Sequence, residues 1–155
     1  MLSKENLQII AALRKNARRS LVDVSNDIGI PHSTIHQKVR EYENKIIKKH
    51  TSIIDFQKIG FLSHCFLLLK VPQEHKASLK NYILEHKNLN SLYNINTGYD
   101  FLLECVFNDI SAQKEFLVYL STQFHVELQK IDVLSPLVQE NFLTQLDKFR
   151  LVDLL

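Results

Sequence analysis

Length and composition suit a globular protein of one medium domain or two small ones: 155 residues, 45% of them hydrophobic, with three Gly and three Pro. So little Gly and Pro excludes long flexible linkers, and the richest apolar run, FLLLKV, is far too short to cross a bilayer. The formal net charge is only +2, yet residues 1–60 carry 11 Lys and Arg against 6 Asp and Glu, and residues 61–155 carry 8 against 11.

A basic first part and a mildly acidic second part suggest two modules, of which the first meets a polyanion. No basic start followed by an apolar segment marks an export signal, so a cytoplasmic location with no membrane contact is expected. Cys65 and Cys105 sit inside apolar runs and read as buried, reduced thiols. Ligand pairs at short spacing are missing, so neither a metal site nor a cofactor is expected.

In chain order, Ser3 is placed to cap a helix running to about Lys15, with Ile9, Ile10 and Leu13 turned inward. NARRS breaks the pattern. Ser20, with Asp23 three residues on, resembles a capping box that opens a second helix with Val24 and Ile28 inside. Gly29 ends it, and Pro31 begins the next segment. Two helices joined by a short Gly-containing turn form a helix-turn-helix.

The third helix puts Ile35, Val39 and Tyr42 on one side. Ser33, Gln37 and Arg40 lie opposite, flanked by His32, Thr34, His36 and Lys38. Gln can bond adenine in two places and Arg can do so with guanine, while hydroxyls near a helix start suit phosphates or bases. Arg18, Arg19 and Lys15 precede the second helix and are placed to grip a DNA backbone. NKIIKKHTSII reads as two short strands around a basic tip carrying Lys48 and Lys49, which is a wing beside the helix-turn-helix. Double-stranded DNA is therefore the expected partner, with phosphates supplying affinity and the third helix supplying sequence choice.

DFQKIGF forms a short connection, and a second module follows over residues 61–138. FLSHCFLLLKV is a strand nearly apolar on both faces, stopped by Pro72. Residues 74–87 show helical spacing, SLYNINTG is a more polar strand, and Gly98 marks a tight turn before the apolar strand YDFLLECVF. Ser111 is placed to cap a second helix, and ELQKIDVLSPLV is a fourth strand. The order predicts an α+β chain: a winged helix-turn-helix over residues 1–60, then a ferredoxin-like βαββαβ domain. The strands starting at Leu62 and Tyr99 are the central pair of this topology and are apolar on both sides. Helices cover one face only, so a second copy covering the other predicts a homodimer. In the tail, residues 139–155, Phe142, Leu146 and Phe149 recur at helical spacing.

The pieces IIAALRKNAR, LVDVSNDIGI, STIHQKVREYENKIIKKHT and FQKIGF, with NTGYDFLLECVF in the second module, resemble the Lrp/AsnC, or feast/famine, transcriptional regulators. The resemblance covers nearly the whole chain except the tail. It implies dimers and often octamers formed by sheet pairing. It also implies an amino acid or related effector, bound here near Thr97, Gly98, Tyr99 and Asp100. The chain departs from the family in having Ala17 or Asn44 where Gly is common, and Pro31 where Ser opens the third helix.

Three rivals stand beside the DNA-binding regulator. Siroheme decarboxylases resemble this family in layout, but His64, His75, His86 and His125 fall on separate elements at no ligand spacing, and no catalytic residues can be named. A ligand-free, oligomeric architectural DNA-binding protein is the second. An oligomeric sensor whose first module binds protein is the third, and the basic surplus of residues 1–60 argues against it.

Overall fold

The structure, a computed structural model, describes residues 3–144. The described residues up to Ser52, together with those from Leu137 on, make one compact unit, and Ile53–Pro136 make the other.

Three helices build the described part of the first unit. In α1 (Lys4–Lys15) the Ser3 hydroxyl accepts the Asn6 amide at 3.3 Å. Before α2 (Leu21–Ile28) the Ser20 hydroxyl accepts the Asp23 amide at 3.0 Å and donates to the Asp23 carboxylate at 2.7 Å. This is a variant of the reciprocal cap, and it satisfies a backbone donor at the helix start. Gly29 ends α2 in the left-handed region at φ 68. The Ser25 hydroxyl then ties the turn by donating to the Ile30 carbonyl at 2.6 Å, and α3 (His32–Lys45) begins after Pro31. Ile9, Ile10, Leu13, Val24, Ile35, Val39 and Tyr42 close a single core beneath the three helices.

The two wing strands do not form: residues 46–55 run without regular pairing. The tip KKHT contains no Gly, Asn or Asp to favour the positive φ of a tight hairpin, and an isolated two-stranded ribbon is marginal in water.

The second unit is a four-stranded antiparallel sheet of β1 (Ser63–Lys70), β2 (Leu89–Asn94), β3 (Phe101–Phe107) and β4 (Glu127–Asp132), in the order β2-β3-β1-β4. Two helices, α4 (Lys76–Leu84) and α5 (Ile110–Phe124), supply the crossovers. This is the expected ferredoxin-like order, with β1 and β3 as the central pair. Cys65, Leu67, Leu69, Phe101, Leu103 and Phe107 pack against Leu79 and Ile83 of α4 and Phe116 and Leu120 of α5. Cys65 lies directly opposite Cys105 in the β1–β3 register, and both thiols are free and buried. Burial pushes the Cys105 thiol up to about 12, which leaves it unreactive.

Several boundaries shift from the sequence reading. Asp109, not Ser111, caps α5, its carboxylate accepting the Ala112 amide at 2.9 Å. The β2 strand starts at Leu89 because Leu89 and Leu92 both pack onto the core. The hairpin after it closes where the Ile95 amide donates to the Asp100 carbonyl at 3.0 Å, so β3 begins at Phe101 and not Tyr99. In the tail, residues 139–144 form bends and a turn, not the helix expected there. Leu146 and Phe149 lie outside the described residues.

Candidate nucleic-acid interface

Burial of Ile35, Val39 and Tyr42 fixes which side of α3 faces the core, and therefore which side faces water. His32, Ser33, Thr34, His36, Gln37 and Arg40 are all exposed. Lys38 is half-buried and lies 3.8 Å from Glu41. No side chain caps the first turn of α3 and no acidic residue lies in it. Its first amides, at the positive end of the helix, are therefore open to an anion.

The flanking cations divide into two kinds. Arg18 is exposed in the turn between α1 and α2, its amide held by the Asn16 side-chain oxygen at 2.9 Å. Arg19 is half-buried and bonded to the Asp27 carboxylate of α2. Its guanidinium braces the helix and offers less to a phosphate than the sequence suggests. Lys48 and Lys49 are exposed on the irregular segment after α3, and His50 beside them reaches Glu43 at 3.3 Å. The arrangement is a polar helix face with a cationic turn and a cationic segment in the same unit.

In the second unit, the effector residues of the sequence reading sit in the β2–β3 hairpin. Thr97 and Gly98 are exposed at its tip, Gly98 at φ 88. The Tyr99 hydroxyl meets the Gln129 side-chain oxygen of β4 at 3.2 Å. Asp100 is engaged within the fold. Its carboxylate accepts the Lys76 ammonium at 2.7 Å and the Val71 amide at 2.9 Å, and its own amide donates to the Leu69 carbonyl at 2.8 Å. Lys76 first, then the Val71 amide, hold the Asp100 carboxyl below the usual carboxylate range. Asp100 therefore shapes the hairpin from within, and its charge is already matched. A groove of about 200 Å³ lies at the other end of the sheet, lined by Phe56, Phe61, Lys87, Leu89 and Val106 among others.

The sheet face turned away from α4 and α5 carries Phe66, Leu68, Leu102 and Val106 on the central strands and Ile131 on β4. Set among them is one polar knot. Glu104 accepts from Asn90 at 2.7 Å and Ser91 at 2.8 Å, and meets His64 Nε2 at 2.9 Å. Burial works to raise the Glu104 carboxyl, but the hydrogen bonds from Ser91, Asn90 and His64 outweigh it and hold the group low. Sequence reasoning missed this knot, and also the Asp100–Lys76 pair. Its members lie on different strands, so no local pattern announces it.

Among curated proteins, the chain is 27% identical over 111 residues to the HTH-type transcriptional regulator FL11 of Pyrococcus horikoshii, which is 71% of this chain and 74% of the relative. It is 26% identical over 136 residues to the HTH-type transcriptional regulator LrpC of Bacillus subtilis, spanning 84% of this chain and 94% of that one. The solved structure of B. subtilis LrpC matches 90% of this chain and 99% of its own at 22% identity, with a TM-score of 0.81. A transcriptional regulator of Neisseria meningitidis, NMB0573, solved as a complex with L-Met, also matches at 0.81, with 17% identity over 90% of this chain and 94% of its own. No protein-family model matches the chain.

Proposed function

We infer that this chain is a DNA-binding transcriptional regulator of the Lrp/AsnC type, since its sequence pattern, its HTH-type relatives and its fold agree. One observation carries the DNA-binding role: α3 buries Ile35, Val39 and Tyr42 while Gln37 and Arg40 stand exposed beside an uncapped, acid-free first turn. In our reading α3 enters a major groove, with Gln37 and Arg40 reading base edges and Ser33, Thr34, His32 and His36 at the groove's edge. Arg18, Lys48 and Lys49 meet phosphates.

Two copies pair through the sheet face that carries Phe66, Leu68, Leu102 and Ile131, because an apolar patch of this kind is poorly tolerated in water. Their reading helices then address half-sites about 34 Å apart or a multiple of it. We further propose an amino acid or related effector at the β2–β3 hairpin, met by Thr97, Gly98 and Tyr99, with Asp100 holding the loop in shape. The relative solved with L-Met supports this choice of ligand class. The protein acts in this reading as a binding switch, not as a catalyst.

The test is selection of bound duplexes from a random pool at low ionic strength, with and without a mixture of amino acids. Enrichment of a two-fold symmetric motif whose retention changes with the amino acids is the expected result. A pool that emerges unenriched overturns the sequence-reading role, and enrichment indifferent to every amino acid overturns the effector.

A further inference from the structure

Arg14 is a basic residue of the first unit whose guanidinium is engaged by the chain's own C-terminal segment. It lies in the last turn of α1, and its guanidinium holds the returning C-terminal segment. Nε donates to the Phe142 carbonyl at 2.8 Å, and Nη2 donates to the Glu140 carbonyl at 3.1 Å and the Glu140 carboxylate at 2.8 Å. Next to this fork, Leu143 packs against the core beneath α1, α2 and α3. The held segment has a costly shape: Glu140 at φ 49 and Leu143 at φ 68 are both in the left-handed region. Thr144 locks that shape by bonding Asn141 through its amide at 3.2 Å and its hydroxyl at 2.7 and 2.8 Å. A strained turn persists where its surroundings over-determine it.

The connectivity gives this clasp a consequence. The chain leaves the first unit after Ser52 and returns to it at Leu137, so the helix-turn-helix is attached to the sheet unit at two points of the chain. A single attachment leaves a reading unit wide freedom of orientation, and a second one removes much of it. We propose that Arg14 is a positioning residue for DNA recognition: by clasping residues 140–142 it makes the C-terminal segment a second tether, which narrows the range of half-site spacings that a dimer accepts. The proposal rests on the regulator reading above. In this scheme Arg14 does not contact the DNA.

Two measurements on the full-length chain test it. The first needs no DNA. Limited digestion with Glu-C and chymotrypsin, read by mass, follows cleavage after Glu140 and Phe142 relative to all other sites. Arg14→Ala should raise cleavage there by roughly tenfold, as expected when a local opening loses its restraint. Arg14→Lys, which keeps the charge but lacks the planar fork, should behave like Arg14→Ala. The second uses duplexes carrying the selected half-site twice, with the spacing varied one base pair at a time. In Arg14→Ala the ratio of affinities between best and worst spacing should fall by about tenfold, while affinity for a single half-site stays within about twofold. Equal cleavage in all three proteins removes the clasp. Faster cleavage with an unchanged spacing profile removes the positioning role. A wild-type protein that binds no duplex overturns that role together with the regulator reading, and the digestion still judges the clasp by itself.

Discussion

In the proposed role Gln37 and Arg40 tell bases apart, and Lys48 and Lys49 do not. The first two present paired polar atoms from a rigid helix, while the second two are point charges on an irregular segment. Gln37→Ala or Arg40→Ala should therefore cost about 1–3 kcal/mol on the selected site and little on unrelated duplex. Lys48→Ala or Lys49→Ala should weaken all sequences alike and lower the slope of log affinity against log salt by about 0.9 each. Gel shifts over a salt series separate the two classes, and identical behaviour would refute the division of labour. Asp100 supports a pH prediction. Its folded-state pKa is depressed by Lys76 and the Val71 amide, so its contribution to stability is present above the ordinary carboxylate range, near pH 4, and is lost as pH falls through the folded value. The stability gap between wild type and Asp100→Asn should be full at pH 7 and shrink below about pH 4, as read from urea midpoints. Such pairings were illegible in the sequence because the partners lie far apart along it: Asp100 with Lys76, and Arg14 with Glu140. The identity of Asp100 as a hairpin residue was legible; the direction in which its carboxylate is satisfied was not.

In the first unit, limits set by near neighbours came out as the sequence indicated, whereas α5 is capped by Asp109 and not Ser111. Ser3 and Ser20 cap, and Gly29 stops α2, because each acts on backbone groups within three or four residues. At Gly29 an added Cβ would meet nothing within 4 Å, so the cost of substitution is backbone strain alone. Gly29→Ala should cost about 1–2 kcal/mol, and Ser20→Ala about 1 kcal/mol, in chemical unfolding. If Gly29→Ala proved neutral, the tight turn between α2 and α3 would not need its left-handed residue. The wing shows the opposite case. Its pattern of apolar residues around a basic tip suits strands, but strand pairing requires a turn and a partner surface, and a local pattern supplies neither.

At the scale of the whole molecule, the proposed pairing rests on the sheet face opposite the helices. Phe66 lies there at the centre of β1, opposite Glu104 on one side and Ile131 on the other. Phe66→Glu should convert the proposed dimer to monomer in sedimentation velocity while leaving helical circular dichroism unchanged, since Phe66 points away from the core shared with α4 and α5. A wild-type protein that sediments as a monomer would remove the need for a covered face. No helix among the described residues is long and apolar enough to cross a membrane. Periodicity, caps and turn residues were enough to indicate the three-helix unit, the order of the sheet and the exposed side of α3, because these depend on interactions a few residues in range or on one repeating face. Folding alone settled the pairing of Arg19 with Asp27, of Asp100 with Lys76, the Glu104 knot and the return of residues 140–143 to α1. Each of these joins groups that chain order keeps apart, and which charge finds which partner depends on where the packed backbone brings them.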